Sequence, residues 1–301
     1  MTATVSRELS ALEVAVLETV AYSDVFDFPV TAEEVWRSLP TPASLAGVTS
    51  ALASVCILPE MLACSQPYFH FKGREELVAR RERRRESSTV LRLKAETYAG
   101  LIARLPFVRM VALTGSLAVH NSDDDDDIDY LIVTEPGRVW LTRAMTMLIV
   151  RLAGLRGVTL CPNYFLAESV LALPQRDLYT ARELLQMIPL AGRAVYDRML
   201  AANVWWRDFL PNAEPAQPTL SLNRGRSLFR RLAEVGLRTS LGSFAESWLL
   251  RGKAAELRGQ AGGNEEAVFD ETMCKGHFDG YRRRTQEAVA KRLSKLSGSQ
   301  P

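Results

Sequence analysis

The chain has 301 residues, of which 47% are hydrophobic and 24% charged, and its formal net charge is +2. These values are typical of a globular protein with two or three domains, and the charge excludes a protein that binds polyanions over its whole surface. The longest apolar stretch, residues 139–155, contains two arginines and is too short to span a bilayer, so we expect no membrane partner. No signal peptide is recognisable and the four cysteines lack metal-ligand spacing, so we expect a cytoplasmic protein with reduced thiols.

Residues 8–73 show the element order of a winged helix, with three helices followed by a hairpin. The helix starts are indicated by Ser10, by the capping box of Thr31 and Glu34, and by Pro42. Two strand-like runs follow, over residues 61–65 and 68–72. Residues 1–74 are therefore predicted to form a small N-terminal domain.

The third predicted helix of this domain, residues 43–55, contains no Arg, Lys, Asn or Gln. Winged helices often bind DNA, but base readout and phosphate contacts rely on these residue types. We therefore expect no sequence-specific DNA binding, and we interpret the domain as a structural or substrate-covering unit.

A long helix is predicted over residues 75–105, and its first half carries five arginines, Arg80, Arg81, Arg83, Arg84 and Arg85. Glutamates stand between and beside them, which is typical of a solvated helix face with ion pairs along the helix. The alternative is a basic rim that binds a nucleotide or RNA.

Residues 111–133 carry the strongest functional signal. An apolar run ends in Gly115 and Ser116, and after ten residues Asp127-Ile-Asp129 leads into a second apolar run. Both runs predict buried strands, and because side chains alternate along a strand, the two aspartates share one face. Adjacent carboxylates repel each other unless a cation lies between them, and hard oxygen ligands suit Mg²⁺. Gly115 permits close backbone approach, and a helix beginning at Ser116 would offer N–H groups to a phosphate.

This arrangement resembles the nucleotidyltransferase superfamily of the DNA polymerase β type, in identity, spacing and flanking hydrophobicity, over roughly residues 88–170. The resemblance implies an α+β fold with an N-terminal winged helix, a mixed-sheet nucleotidyltransferase core over residues 75–172 and a helical C-terminal domain over residues 173–301. It also implies transfer of a nucleoside monophosphate from a nucleoside triphosphate (NTP) to a small-molecule, protein or RNA acceptor. Asp127 and Asp129 would hold Mg²⁺, and Gly115 and Ser116 would bind the phosphates.

The family has a third carboxylate on a neighbouring strand, but the strand predicted over residues 159–168 has no aspartate. Its only carboxylate is Glu168 at the far end, which we assign as the third catalytic residue. Two alternatives stay open: Asn163 stands at the expected place without a base, or activity is reduced. Arg138 and Lys275 are further candidates for contacts with the triphosphate.

A second hypothesis is a nucleotide-binding regulatory protein, in which an inactive core controls a winged-helix interaction domain. The missing third aspartate favours this hypothesis. The neutral third helix of the N-terminal domain speaks against it.

Overall fold

The computed structural model describes residues 8–58, 61–215, 228–262, 267–276 and 281–297. These residues form an α+β protein with twelve helices, a mixed six-stranded sheet and a smaller antiparallel sheet of three strands. The expected α+β class is therefore confirmed. Among the described helices, none combines the length and the apolar composition that a membrane span requires.

The N-terminal unit contains three helices and three short strands: α1 Ala11–Asp24, β1 Val30–Thr31, α2 Ala32–Ser38, α3 Leu45–Ile57, β2 Leu62–Ser65 and β3 Tyr68–Phe71. Ser10 caps α1 as expected, there as part of a capping box with Glu13, and the predicted capping box at Thr31 is present. The third helix begins at Leu45 and not at Pro42, because the Ser44 side chain caps it by accepting the Gly47 N–H. Strand β3 pairs with β1 and β2, in the order β1-β3-β2.

Helices and strands then alternate through the centre of the chain: α4 Glu76–Ile102, β4 Val108–Leu113, α5 Gly115–Ala118, β5 Ile128–Thr134, α6 Val139–Gly154 and β6 Leu160–Ala167. Strands β4 and β5 are antiparallel, whereas β5 and β6 are parallel. The end of β4 and the starts of β5 and β6 therefore lie at one end of the sheet.

The remaining elements are α7 Leu178–Gln186, β7 Ile188–Ala191, α8 Arg193–Ala202, α9 Trp206–Phe209, α10 Leu228–Leu237, α11 Ser240–Ala261, β8 Val268–Phe269, β9 Met273–Lys275 and α12 Tyr281–Ser297. The expectation that residues 173–301 are helical needs correction, because β7, β8 and β9 complete the large sheet in the order β7-β4-β5-β6-β9-β8. These strands have two to four residues, too few to display the alternation by which a sequence predicts a strand.

The two faces of the large sheet are covered by different helices. On β5, Tyr130 and Ile132 belong to a core that includes residues of α4, α6 and α11. Leu131 and Val133 point the other way, into a core with α7, α8 and α9. Because side chains alternate, Asp129 lies on the face of Leu131, toward α7.

The arginine run of α4 joins the N-terminal unit to the rest of the chain. Arg81 is buried and donates to both carboxylate oxygens of Glu34, and Arg80 pairs with Asp27 at 2.6 Å. Arg84 is also buried and donates to side chains of the loop before β5. These three arginines therefore form neither a solvated face nor a free basic rim; the other two arginines of the run are exposed.

Candidate metal and nucleotide site

The two aspartates of the sequence motif lie where β5 and β6 begin, a region here called the aspartate end. Asp127 directly precedes β5 and is exposed, whereas Asp129 is half-buried and stands opposite Cys161 in the parallel ladder. One ligand atom from each of these three residues lies within 4.8 Å of the other two. Two carboxylates and a thiol thus face one small volume.

Gly115 lies in direct contact with this cluster. Its φ is +69°, and a Cβ atom built on it would lie 2.2 Å from Asp129 Oδ2. Only glycine fits, because any side chain would collide with the carboxylate and would also strain the backbone. The Thr114 N–H donates to the Asp129 carbonyl at 3.1 Å, which fixes the end of β4 against the start of β5.

Ser116 follows in a helix that is only four residues long, so the helix start expected there is little more than one turn. Its hydroxyl is 2.8 Å from the hydroxyl of Ser122, and its carbonyl accepts the Asn121 N–H at 2.9 Å. The Gly-Ser turn is therefore held in place by the loop that leads to the aspartates.

Strand β6 shifts register beside the aspartates. Asp129 pairs with Cys161 but Leu131 pairs with Tyr164, so β6 has one extra residue. Pro162 lies in this segment and has no N–H for the ladder, which accounts for the irregularity. As a result, the Asn163 side chain reaches back and donates to Asp129 Oδ1 at 2.9 Å.

The surroundings of Asp129 disfavour its charged form. Burial, followed by the charge of Asp127, raises the pKa of Asp129 from 3.8 to about 7, and Glu183 of α7 adds to this effect. Burial and the two aspartates also raise the pKa of the Cys161 thiol to about 12. Within the described residues, neither aspartate pairs with an arginine or lysine.

Cys161 and Glu183 were not found from the sequence as parts of this site. The thiol joins the cluster through the parallel pairing of β5 and β6, whereas Glu183 acts on Asp129 through its charge, from the helix that covers this sheet face. Neither relation leaves a local sequence pattern, because each depends on how distant segments pack.

Glu168 does not belong to this group, and its assignment as the third catalytic residue needs correction. It follows the far end of β6, where its N–H donates to the carbonyl of Thr134, the last residue of β5. At a rise of about 3.3 Å per residue this is roughly 16 Å from Asp129. Its carboxylate is bound by Arg198 and lies 3.7 Å from Arg109 Nε. Strand length alone thus separates it from the aspartates.

Arg138 also lies at the far end, and its assignment to the triphosphate needs the same correction. It precedes α6, after β5 has crossed the sheet, and it donates to the Gly137 carbonyl and the Ser243 hydroxyl. This far end of β5 and β6, with Arg109, Glu135 and Glu168, is here called the arginine end.

Lys275 lies near the aspartate end, two strands away from Asp129. It pairs with Tyr164 across β6 and β9, and its Nζ atom is 5.4 Å from the centre of the Tyr164 ring. The next residue, Gly276, donates its N–H to the Asn163 carbonyl at 2.9 Å. Lys275 therefore stays a candidate for phosphate contacts.

The chain was compared with family models, curated proteins and solved structures, and none of them matches. The function must therefore be inferred from the residues of the aspartate end. Their geometry is that of two carboxylates without an arginine or lysine partner in the part of the chain that the structure describes, next to a turn at which Gly115 is exposed.

Proposed function

We propose that this protein is a Mg²⁺-dependent nucleotidyltransferase that moves a nucleoside monophosphate from an NTP to a small-molecule, protein or RNA acceptor. One observation carries the proposal: among the described residues, Asp127 and Asp129 lie together without an arginine or lysine partner, and Gly115 is pressed against Asp129 at positive φ. The local structure supports the resemblance, since β4 ends at Leu113, before the Gly-Ser turn, and β5 begins at Ile128, between the two aspartates.

The donor set fits a magnesium ion. Mg²⁺ prefers oxygen ligands and usually takes one or two carboxylates, completing its shell with water and substrate phosphate. Asp127 and Asp129 supply these carboxylates, and Asn163 holds Asp129 in position through its hydrogen bond. The soft thiol of Cys161 is a poor ligand for Mg²⁺, so we assign it to the wall of the site.

The remaining residues act on the substrate. A bound Mg²⁺ supplies charge neutralisation on the phosphate oxygens during transfer. The Gly-Ser turn offers backbone N–H groups and the Ser116 hydroxyl to the triphosphate, and Lys275 adds positive charge at the same end of the sheet. The acceptor oxygen forms a bond to the α-phosphorus while the bond to the β-phosphate breaks. Pyrophosphate leaves with that electron pair, and the proton of the acceptor oxygen passes to solvent water.

Asn163 raises a second candidate function, that of a nucleotide-binding regulatory protein. It lies against Asp129 on the neighbouring strand, where the family has a carboxylate, and an amide cannot take a proton from an acceptor. In this case nucleotide binding would persist without turnover, and the N-terminal unit would transmit the bound state.

The N-terminal unit gives no support to control of specific DNA sites. The exposed side chains of α3 are neutral, and none is an amide: Leu45, Ala46, Thr49, Ser50, Ala53 and Ile57. Such a face lacks the groups that pair with base edges and phosphates. We propose that the unit is structural or covers substrate.

One experiment separates these possibilities. The protein is incubated with Mg²⁺ and each labelled NTP, with fractions of cell extract as acceptor, and pyrophosphate release and nucleotide binding are both measured. Release that is lost in Asp127→Asn and Asp129→Asn but retained in Glu168→Gln supports the transferase. Binding without release favours the regulatory protein. Absence of both binding and release contradicts the assignment of the site.

A further inference from the structure

Helices α10 and α11 turn apolar side chains toward solvent. Six large apolar residues are 63% to 78% exposed: Leu228, Leu232, Val235, Leu241, Phe244 and Trp248. Their spacing places the first three on one side of α10 and the last three on one side of the first half of α11. We call these six residues the outer face.

The side of α10 that faces the protein is polar. Arg230 and Glu234 are buried and pair with each other at 3.0 Å. Arg230 also donates to the carbonyls of Ala103 and Val108, and Glu234 accepts the Phe107 N–H at 3.1 Å. The ion pair thus ties α10 to the backbone on both sides of the turn between α4 and β4.

The first half of α11 is arranged in the same way. Glu246 is buried and accepts the N–H groups of Trp140 at 2.9 Å and Leu141 at 2.7 Å, at the start of α6. A carboxylate at a helix N-terminus satisfies free N–H groups and is stabilised by the helix dipole. Rolling α10 or α11 to bury the outer face would leave these internal charges unpaired. The apolar exposure is therefore fixed by the fold.

The charged residues next to the outer face are cationic. Arg231 is exposed and lies between the apolar residues of α10, and Arg251 is exposed one turn after Trp248. The glutamates of α10 and of the first half of α11 are the two buried ones, Glu234 and Glu246. The surface that α10 and the first half of α11 present thus combines leucine and aromatic side chains with arginines and no exposed acid; the exposed Glu256 lies in the second half of α11, where it pairs with Lys253.

We propose that the outer face docks on the surface of a membrane that contains anionic lipids. Helices that lie in the membrane interface combine an apolar side bearing Trp, Phe and Leu with adjacent Lys or Arg. The long arginine side chains can reach the headgroups while the apolar groups insert. The expectation of no membrane partner concerned spanning segments, whereas this proposal concerns docking on the membrane surface, and it is independent of the proposed enzymatic activity.

A second copy of the chain fits this surface less well. In a symmetric dimer the same patch faces itself, so the arginines of both copies would approach each other without an exposed acid to pair with. An anionic bilayer offers the opposite charge and an apolar interior in one plane. Charge complementarity therefore favours the membrane.

The test uses the full chain with vesicles of phosphatidylcholine alone and of an equimolar mixture with phosphatidylglycerol. Binding is measured by flotation and by the fluorescence of Trp248, which is 67% exposed, whereas Trp36, Trp140, Trp205 and Trp206 are half-buried or buried. We expect flotation with the anionic vesicles, a blue shift of the emission and weakening by salt. Both signals should be much smaller with phosphatidylcholine alone.

Substitutions in the outer face test whether this face is the surface that binds the vesicles. Leu232→Gln with Phe244→Gln should lower partitioning at least about tenfold, because two apolar groups no longer insert. Both residues are exposed, so the fold should not change. Ile57→Gln is the matched control, since Ile57 is 83% exposed but lies in the N-terminal unit. Arg231→Gln and Arg251→Gln should each weaken binding to anionic vesicles roughly fivefold.

Three results would overturn the proposal. The first is absence of flotation with anionic vesicles. The second is a dimer, seen by light scattering, that the double glutamine variant converts to monomer; a second copy would then cover the face. The third is a monomer whose Trp248 emission is already blue-shifted without vesicles, since another part of the same chain would then cover it.

Discussion

The two ends of the large sheet differ in whether their carboxylates have arginine partners. At the arginine end, Glu135 is bound by Arg109 and Arg238, and Glu168 by Arg109 and Arg198. At the aspartate end, Asp127 and Asp129 lie close together without an arginine or lysine partner in the described residues. Carboxylates of the first kind are neutralised by the protein itself and contribute to the fold. Those of the second kind are left for a proton or for the cation of the proposed metal site to neutralise.

The largest effect is expected from Asp129→Asn. Removing this carboxylate should lower nucleotidyl transfer at least about 100-fold, since the proposed Mg²⁺ would lose a ligand and would no longer hold the phosphates in place. The matched variant at the other end, Glu168→Gln, should leave transfer nearly unchanged. It should cost less than about 1 kcal/mol of stability, because its arginine partners are partly exposed. Pyrophosphate release and thermal unfolding measure the two outcomes.

The same two variants should also differ in thermal stability, which can be measured without an activity assay. Without metal at pH 8, Asp129→Asn should raise the melting temperature, since it removes a buried charge next to Asp127. Glu168→Gln should lower it. If both variants change stability in the same direction, the contrast between the two ends is wrong.

Gly115→Ala should give the next largest effect. The new Cβ would lie 2.2 Å from Asp129 Oδ2, so the carboxylate must move, and transfer should fall at least about tenfold. Gly73→Ala is the matched control, because Gly73 also has positive φ, +79°, but nothing lies within 4 Å of its Cβ position. Both variants should lose about 1 kcal/mol or more from backbone strain. Equal loss of transfer in both would show that strain, and not the collision with Asp129, is responsible.

The raised pKa of Asp129 predicts that the stability of the protein depends on pH, an effect of intermediate size. Its pKa is about 7 in the folded protein and 3.8 in its ordinary state, so the folded state binds the proton more tightly. This contribution to stability is present in full below about pH 4 and is lost as pH rises through 7, by at most about 4 kcal/mol. Mg²⁺ must displace the proton, so Mg²⁺ should raise the melting temperature more at pH 8 than at pH 5.5. The Asp129→Asn variant should lose this difference, and equal stabilisation at both pH values would contradict the metal assignment.

The sequence predicted the part of the site that is built locally. Gly115 directly follows the end of β4, and Asp129 lies near the start of β5, the next strand and its antiparallel neighbour, so their contact follows from the strand pattern and a short connection. The cap at Ser10 and the capping box at Thr31 were predicted for the same reason, because each involves residues three apart. Local patterns were thus sufficient wherever the interacting groups are close in the chain.

The sequence did not predict the location of residues whose place in the fold depends on strand direction or on packing. Glu168 and Arg138 follow their strands closely in sequence, yet a seven- or eight-residue strand carries each to the opposite end of the sheet. The strands β7 to β9 were missed because they are short and acquire their stability from the neighbours they pair with. The outer face was missed because the amphipathic pattern of α10 predicts a helix but does not show which side faces the core.

The smallest effect, and the one that separates the two candidate functions, is expected from Asn163→Asp. Asn163 reaches Asp129 only because β6 shifts register at Pro162. It lies on the strand beside Asp129, where the nucleotidyltransferase superfamily that the motif resembles has a carboxylate. A carboxylate here adds a third oxygen donor, so Mg²⁺ should bind roughly three- to tenfold more tightly, while the metal-free protein becomes less stable through added repulsion. Asn163→Ala, which removes the hydrogen bond without adding charge, should weaken Mg²⁺ binding instead. If the aspartate variant raises pyrophosphate release, the chain is a transferase limited by its missing carboxylate. If it tightens Mg²⁺ without any release, the regulatory function is favoured, and if Mg²⁺ binding does not respond to either variant, Asn163 does not border the metal.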